Sequence, residues 1–504
     1  MKKRAQTPNA KTYTIIFRGC ASSIHPKLAV AEATRLYNFM MKHPVVKPNT
    51  IHMNAALAVC ARAGDMESLF TILATSNDST RAPDATTYTV VLHALRYDAR
   101  AAGKANFGLA DADIKREVQK SIQQASRIWA EVVAAWKGAK MHMDEYLVCA
   151  MGRLLTAGDY KDNESVLELL EQTMQIPRFD KPKPKLPAMP DPGPTDMSPK
   201  AGQTLAKSRA NTSIRYPEPG PKTLSLVLTA LTNTRKTASA AKYWSYLTRD
   251  LNVMPDHDNH FCYLGALAAG HASAQVATLI EEMPRDSLGP ITFRRGFSVC
   301  VGDNLNPAAF ENACRIFDVM TATQRYPDAL ALRLYLQAAR ANTRHFYEQP
   351  GAPDAGHPEH GRQLMAAIDR MWEPFRILSG SLSYPPAATR SPQEELDKKR
   401  GDMQEVMSTA RRMIAAIDRA VTDQLVTDPK SVKLLRTRRA VLQRQLERWI
   451  AKLYPDGTPP DAFKAGKDAL EDDEQLSRED PLRDWLRRAG HAAASAAGRP
   501  ADTA

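Results

Sequence analysis

PNTIHMNAALAVCARAGDMESLFTILATSNDSTRAPD, Pro48 to Asp84, opens on Pro-Asn and closes on Pro-Asp. Between those marks lies a unit of 35 residues, Thr50 to Asp84. Its first half places Ala56, Leu57 and Cys60 at helical spacing. It then turns at Ala63-Gly64-Asp65, where glycine suits a helix end. A second apolar-periodic run, MESLFTILATS, completes it. The stretch from Ala10 to Asn49 follows the same plan, with AKTYTIIFRGC and then AVAEATRLYNFMMKH, and ATTYTVVLHAL begins it again after Asp84. A helix–turn–helix unit of this size cannot bury its own apolar face, so neighbours must stack. The expected fold is all-α: helix–turn–helix repeats forming an α-solenoid in two arms, followed by C-terminal helices.

Weaker copies follow along the chain. EYLVCAMGRLLTAGD opens one at Glu145, and KTLSLVLTAL opens another just after Pro221, closing at Pro255-Asp256. The next runs from His257 to about Gly289. ITFRRGFSVCV leads one that closes at Pro327-Asp328, and LALRLYLQAARAN follows Ala329. The N-terminal arm is placed at 1–180, with an insertion near 97–120. Seven prolines between Lys181 and Lys200 exclude helix there, so 181–216 is expected to be a disordered linker. Degenerate units fill 217–376, a loop 377–402, a basic helical region 403–456, and a charged, low-complexity tail 457–504. In the basic region Asp428 reads as a helix cap with Pro429 in the first turn.

Composition agrees with helices. Hydrophobic residues make up 43% and aromatics only 7%, and alanine and leucine are abundant, which favours helix over sheet. No apolar run is long enough to span a membrane. The net charge of +12 suits a polyanionic partner. The six cysteines form no C-x-x-C pair, so neither a disulfide framework nor a zinc site is expected. Cys20, Cys60 and Cys300 share position eleven of their units, which reads as a small core hydrophobe. The N-terminal MKKRAQTPNAKTY lacks the features of a leader, and Pro8-Asn9 reads as the end of a repeat, so the natural chain is expected to begin earlier.

These units resemble the pentatricopeptide repeat (PPR) family. The resemblance rests on the period, on Thr-Tyr at positions three and four (Thr12-Tyr13, Thr87-Tyr88), on the Ala-Gly turn, and on the closing Pro-Asp. It implies that first helices line a surface where each repeat meets one base of single-stranded RNA. It also implies that position five and the last position select that base. Those pairs are Thr14 with Asn49, Asn54 with Asp84, and Thr89 with Asp144, which in the family's correspondence read adenine, uracil and guanine. Ser225 with Asp256 is a weaker guanine pair. Phe261 with Gly289, Arg294 with Asp328, and Arg333 fit no pair; Arg294 and Arg333 are expected at phosphate or stacked on bases. Arg436, Arg438, Arg439 and Arg444 lie on a basic helix that either faces solvent or meets phosphate.

In overall texture the repeats are similar to a fungal mitochondrial subgroup of the family. Those factors act on the precursor of small-subunit ribosomal RNA at its 5′ end and take a non-catalytic part in organellar intron splicing. The resemblance implies a mitochondrial matrix protein whose partners are single-stranded RNA, the small ribosomal subunit precursor, and a separate nuclease or other processing protein. Two alternatives stay open: a protein-interaction scaffold, and a translational activator or ribosome-associated factor.

The sequence offers no constellation for catalysis. His357-Pro358-Glu359-His360 contains an H-x-E, but no C-x-x-C supplies the thiolates a deaminase zinc needs. Asp256 to Phe261, DHDNHF, looks like a ligand cluster but straddles a repeat boundary. There is no phosphate-binding glycine loop and no nucleophile elbow. The expectation is a binding protein without enzymatic activity, cofactor or metal.

Overall fold

Among the described residues each Pro-Asp or Pro-Asn mark turns out to be a helix N-cap. The computed structural model describes residues 8–105, 111–181, 215–347, 357–381 and 392–453. Asn9, Asn49, Asp144 and Asp328 all have extended backbones and accept, on a side-chain oxygen, the amide three residues on. Asp84 does the same for Thr87 N (2.8 Å), and Asp256 for Asn259 N (2.8 Å). Four amides at a helix start lack an intrahelical acceptor, and such a cap contributes about 1 kcal/mol. The recurring dipeptide therefore starts the first helix of five repeats, and Asp144, after Met143, caps another in the same way. Gly64, with φ of +73°, supplies the left-handed residue that ends one.

The described residues hold eighteen helices and no strand. In the N-terminal half they are α1 (Ala10–Ala21), α2 (Pro26–Lys42), α3 (Thr50–Ala63), α4 (Met66–Leu73), α5 (Ala85–Ala105), α6 (Asp111–Lys137), α7 (Glu145–Leu155), α8 (Tyr160–Met174), α9 (Pro221–Asn233), α10 (Thr237–Ser245) and α11 (His257–Ala269). Then come α12 (Ser273–Glu282), α13 (Pro290–Gly302), α14 (Ala309–Thr323), α15 (Ala329–Ala341), α16 (His357–Ser381), α17 (Pro392–Thr422) and α18 (Pro429–Leu453). The chain forms two compact units, Met1–Ala266 and Leu267–Ala504.

In the first unit α1, α3, α5, α7 and α9 pack in succession, and each second helix folds back on its own first helix. Phe17, Tyr37, Met40, Met53, Leu57 and Leu69 are wholly buried between the layers. In the second unit α13 packs on α15 and α15 on α17, while α12 packs on α14. Cys60 and Cys300 are completely buried and burial pushes both thiols up to about 12, as small core side chains; Cys20 is half-buried.

Three sequence expectations are revised. The two compact units divide at Ala266, whereas the sequence placed the interruption at the proline-rich segment. Residues 182–214 of that segment lie outside the described residues, but α9 beyond it packs directly on α7 and α8. An insertion between repeats does not break a stack whose faces still match. Within the insertion near 97–120, α5 continues to Ala105 and α6 begins at Asp111, with 106–110 outside the described residues. Of the loop expected at 377–402, residues 377–381 belong to α16 and 392–402 to α17, and 382–391 lie outside the described residues. The tail 457–504 lies outside the described residues.

The C-terminal helices continue the stack. Thr409 Oγ1 on α17 donates to Ala329 O (3.3 Å), the carbonyl of position one of the preceding unit. His52 Nε2 makes the matching contact with Ala10 O (2.9 Å), and Asn259 Nδ2 with Pro221 O (2.8 Å). Thus α17 occupies the place of a first helix and α18 that of its partner. Their contact is apolar, with Met403, Met407 and Leu446 buried beneath Trp449 and Leu453. Among the described residues no helix is long and apolar enough to cross a membrane.

Candidate nucleic-acid interface

Position five lies in the second turn of every first helix, and the last position caps the next one. The two meet only where side chains reach across the gap. In the unit from Thr50 to Asp84 they do: Asn54 Nδ2 donates to Asp84 Oδ1 (3.0 Å). Thr87, at position three of the next unit, donates from Oγ1 to Asn54 Oδ1 (2.7 Å) and accepts from Asp84 N (3.0 Å). A carboxylate only accepts, so the amide nitrogen of Asn54 must face Asp84 and its oxygen Thr87. The side-chain plane of Asn54 is thereby fixed before any ligand arrives. Asn54 is half-buried and Asp84 exposed. Among the described residues, one amide proton of Asn54 and Oδ2 of Asp84 keep no partner.

The flanking pairs are looser. Thr14 Oγ1 and Thr89 Oγ1 donate to carbonyls one turn back, Ala10 O (3.3 Å) and Ala85 O (2.7 Å). Asn49 and Asp144 are engaged as caps for His52 and Leu147. No hydrogen bond joins Thr14 to Asn49 or Thr89 to Asp144 among the described residues. In the next unit position five is Cys149, fully buried, with its thiol pushed up to about 12 by burial. That unit ends at Gly220, which has no side chain to cap with. Glu145 Oε1 reaches over instead and accepts Gly220 N (3.0 Å) and Thr223 N (2.8 Å). Ser225 receives Asn259 Nδ2 (2.6 Å), and Asp256 caps Asn259.

In the second unit the same positions are closed by ion pairs. Arg294 donates from Nε and Nη2 to the two oxygens of Asp328 (2.7 and 2.5 Å). Arg333 donates to Ser408 Oγ (3.0 Å) and pairs with Glu405, and its side chain is 11% exposed. Both guanidinium groups, expected at phosphate or bases, are already engaged within the protein. Of the four arginines singled out on α18, Arg438 pairs with Asp369 and lies over the Trp372 ring, and Arg439 pairs with Asp418 (2.5 Å). Arg436 and Arg444 remain on the exposed face, with Lys433.

His360, part of the H-x-E, is buried and bonded to Tyr347 OH (2.7 Å); burial pushes its pKa down to about 4. No group of three His, Cys, Asp or Glu among the described residues is arranged to hold a metal ion.

Sequence reasoning missed the position-three residues Thr87 and Asn259, which hydrogen-bond the position-five side chains Asn54 and Ser225. Their signal was present as a polar residue three beyond four of the Pro-Asx marks, Thr12, His52, Thr87 and Asn259, with Ala331 the exception. It also missed Tyr146, 56% exposed at position two, with Lys222 Nζ 4.3 Å from its ring centre.

No protein-family model matches this sequence, and no curated protein does. Among solved structures the chain is similar to the pentatricopeptide repeat protein PPR10 in complex with an 18-nt psaJ RNA element, at 14% identity and a TM-score of 0.38. A cysteine-substituted form of PPR10 with the same RNA element gives the same values. The match covers 95% of this chain and 59% of that one, so the chain spans less than two thirds of the protein it resembles.

Proposed function

We propose that this protein binds single-stranded RNA with base selection along the first helices of its N-terminal unit. The observation that carries this is the locked trio Asn54, Asp84 and Thr87. It sets an amide donor beside a carboxylate acceptor on an accessible surface. A base edge offering the converse, an acceptor beside a donor, fits such a pair; uracil does so with O4 and N3–H. Guanine offers O6 and N1–H in the same order, so the preference between the two must be measured. The net charge of +12 supports a polyanionic ligand.

The finer reading is a mitochondrial matrix factor that occupies single-stranded RNA at the 5′ end of a small-subunit ribosomal RNA precursor, or of another organellar transcript. It defines or protects that end without cutting it, and a partner nuclease makes the cut. Crosslinking and sequencing of bound RNA from the native organelle tests the target. Purified protein with added metal is expected to leave bound RNA intact; cleavage lost on His360→Ala would overturn this.

The base-selection test is a titration of wild type and Asn54→Thr against two oligonucleotides differing only at the nucleotide facing Asn54. Threonine with aspartate is the pair that the PPR resemblance assigns to guanine. Preference is expected to move from uracil toward guanine, with one mismatch costing roughly 1–3 kcal/mol by analogy with base readout generally. Identical U/G ratios in the two proteins would reduce Asn54 to a solvated surface residue. A binding constant independent of salt would instead favour the protein-scaffold alternative.

A further inference from the structure

The first unit contains a group of cations with no carboxylate to answer them. His93, Arg96 and Arg100 follow one another on α5, one to three turns beyond Thr89 and on the same helical face. Arg153 lies one turn beyond Cys149 on α7, which packs against α5. Lys222 opens α9, which packs against α7, and its ammonium sits over the exposed ring of Tyr146. None of these five makes a salt bridge among the described residues, and Arg96 Nε is buried with no hydrogen-bond partner. Elsewhere in this unit, the half-buried cations Arg178 and Lys236 are met by Glu164 and Asp180.

The cluster is strained by its own charge. His93 keeps contact with water, yet the protein crowds around it. That crowding, followed by Arg96, Arg153 and Lys222, pushes its pKa down to about 4. Arg96 is pushed down to about 9, first by burial and then by Arg100 and Arg153. Uncompensated cations close together cost folding free energy. The lengthened α5 supplies one of them, because Arg100 lies beyond the length of the other first helices in this unit.

We propose that Arg96, Arg100, Arg153 and Lys222, gathered around His93, form a phosphate-binding site that holds the backbone of the RNA strand whose bases meet position five. This rests on the RNA-binding reading above and extends it to a specific place. His93, Arg96 and Arg100 lie beyond Thr89 on α5 and Arg153 beyond Cys149 on α7, while Lys222 lies one turn before Ser225 on α9, so a strand meeting Thr89 and Ser225 carries its phosphates past the cluster. The phosphate comes from an internal phosphodiester or from a 5′-terminal monophosphate, and Tyr146 beside Lys222 offers a face for a neighbouring base.

The test uses the full chain with Arg100→Gln/Arg153→Gln, with Lys222→Gln as a second variant and Arg35→Gln as a control. Arg35 is an exposed arginine on α2 paired with Glu32. The ligands are one oligoribonucleotide with a 5′-hydroxyl, the same with a 5′-phosphate, and inorganic pyrophosphate. The double variant is expected to weaken the oligonucleotide without changing its U/G ratio. The slope of log K against log salt should flatten by about 1.4, roughly 0.7 for each phosphate of a single strand that is no longer neutralised. A loss confined to the 5′-phosphorylated strand assigns the site to a chain end. Thermal unfolding without ligand adds a readout that a packing role would move the other way: the double variant should melt higher than wild type. An unchanged salt slope, or a lowered melting point together with unchanged RNA affinity, overturns the site. If wild type binds no RNA but binds pyrophosphate through these residues, the phosphate site stands and the RNA reading fails.

Discussion

Asn54 with Asp84 and Arg294 with Asp328 occupy the same two repeat positions, one pair in each compact unit, and both pairs are joined side chain to side chain. The carboxylate does the same local work in each, capping the next first helix through Thr87 N or Ala331 N. The difference is the partner. Asparagine takes one carboxylate oxygen with one amide proton and leaves a donor and an acceptor for a ligand. Arginine takes both oxygens in a charge-assisted fork, so neither carboxylate oxygen is left without a partner. A polar residue at a selecting position therefore does not make a selecting pair; unspent hydrogen-bond capacity does. Under the proposed RNA reading, base contact is expected in the N-terminal unit, and Arg294 and Arg333 stand where the position is already closed by an ion pair.

The comparison requires that Asp328 fill a site rather than hold the fold together. A large contrast is expected with Asp180, whose side chain is completely buried between Arg178 (2.7 Å) and Lys236 (2.9 Å). Asp180→Ala should cost about 3–5 kcal/mol, the penalty for breaking a buried pair and stranding its cation. Asp328→Ala should cost only about 1–2 kcal/mol, mostly from removal of the cap, because Arg294 is 41% exposed and can return to water. Urea unfolding of both variants checks this; equal losses would remove the distinction. The hydrogen bond from Arg178 holds the Asp180 carboxyl well below its ordinary range. A depressed folded pKa stabilises at pH above the unfolded value, near 3.9. The difference between wild type and Asp180→Ala should thus persist at neutral pH and shrink only as pH falls below about 4.

A reciprocal exchange breaks the comparison directly. Asn54→Arg should install in the first unit the closed pair seen in the second. Discrimination at that nucleotide should fall by about 1–3 kcal/mol, the worth of one good edge contact. Arg294→Asn should open the other pair and create a preference where wild type has none. Titration against oligonucleotides varied one base at a time measures both. If Asn54→Arg keeps its U/G ratio, closure of the pair is not what silences a repeat.

The repeat was legible because its marks are local. A cap needs only a Pro-Asx and an amide three residues on, so five of the first helices announce themselves in the sequence. The selecting pair of the first complete unit was legible for the same reason. What was hidden depends on residues far apart. Arg333 meets Glu405 across 72 positions, and α17 enters the stack with no Pro-Asx before it. Glu145 serves as the missing cap at Gly220 only because α7 and α9 pack together. The cation cluster is hidden in the sequence because its members lie on three helices, and only stacking brings Arg153 and Lys222 near His93 and Arg96. The proline-rich segment misled in the opposite sense, since composition shows where a helix must stop but not whether the stack resumes.

The smallest effect expected is also the one that isolates preorganisation from contact. Thr87 is completely buried and touches no ligand position, yet its hydroxyl fixes Asn54 from behind. Thr87→Val keeps the shape and removes that hydroxyl. Asp84 N and Asn54 Oδ1 each lose a partner in a partly buried setting, so stability should fall by about 1–2 kcal/mol. Asn54 then turns more freely, and its bond to Asp84 alone must hold the amide plane. The U/G ratio should drop by a factor of about 2–5, roughly the worth of one modest hydrogen bond. Thr87→Ser, which restores the hydroxyl, should recover most of it. The closed pair offers a built-in control: Ala331 stands where Thr87 does, with no side-chain donor, and the Arg294–Asp328 fork forms without one. If Thr87→Val leaves the ratio untouched, the carboxylate alone orients Asn54, and position three is a packing residue in both units.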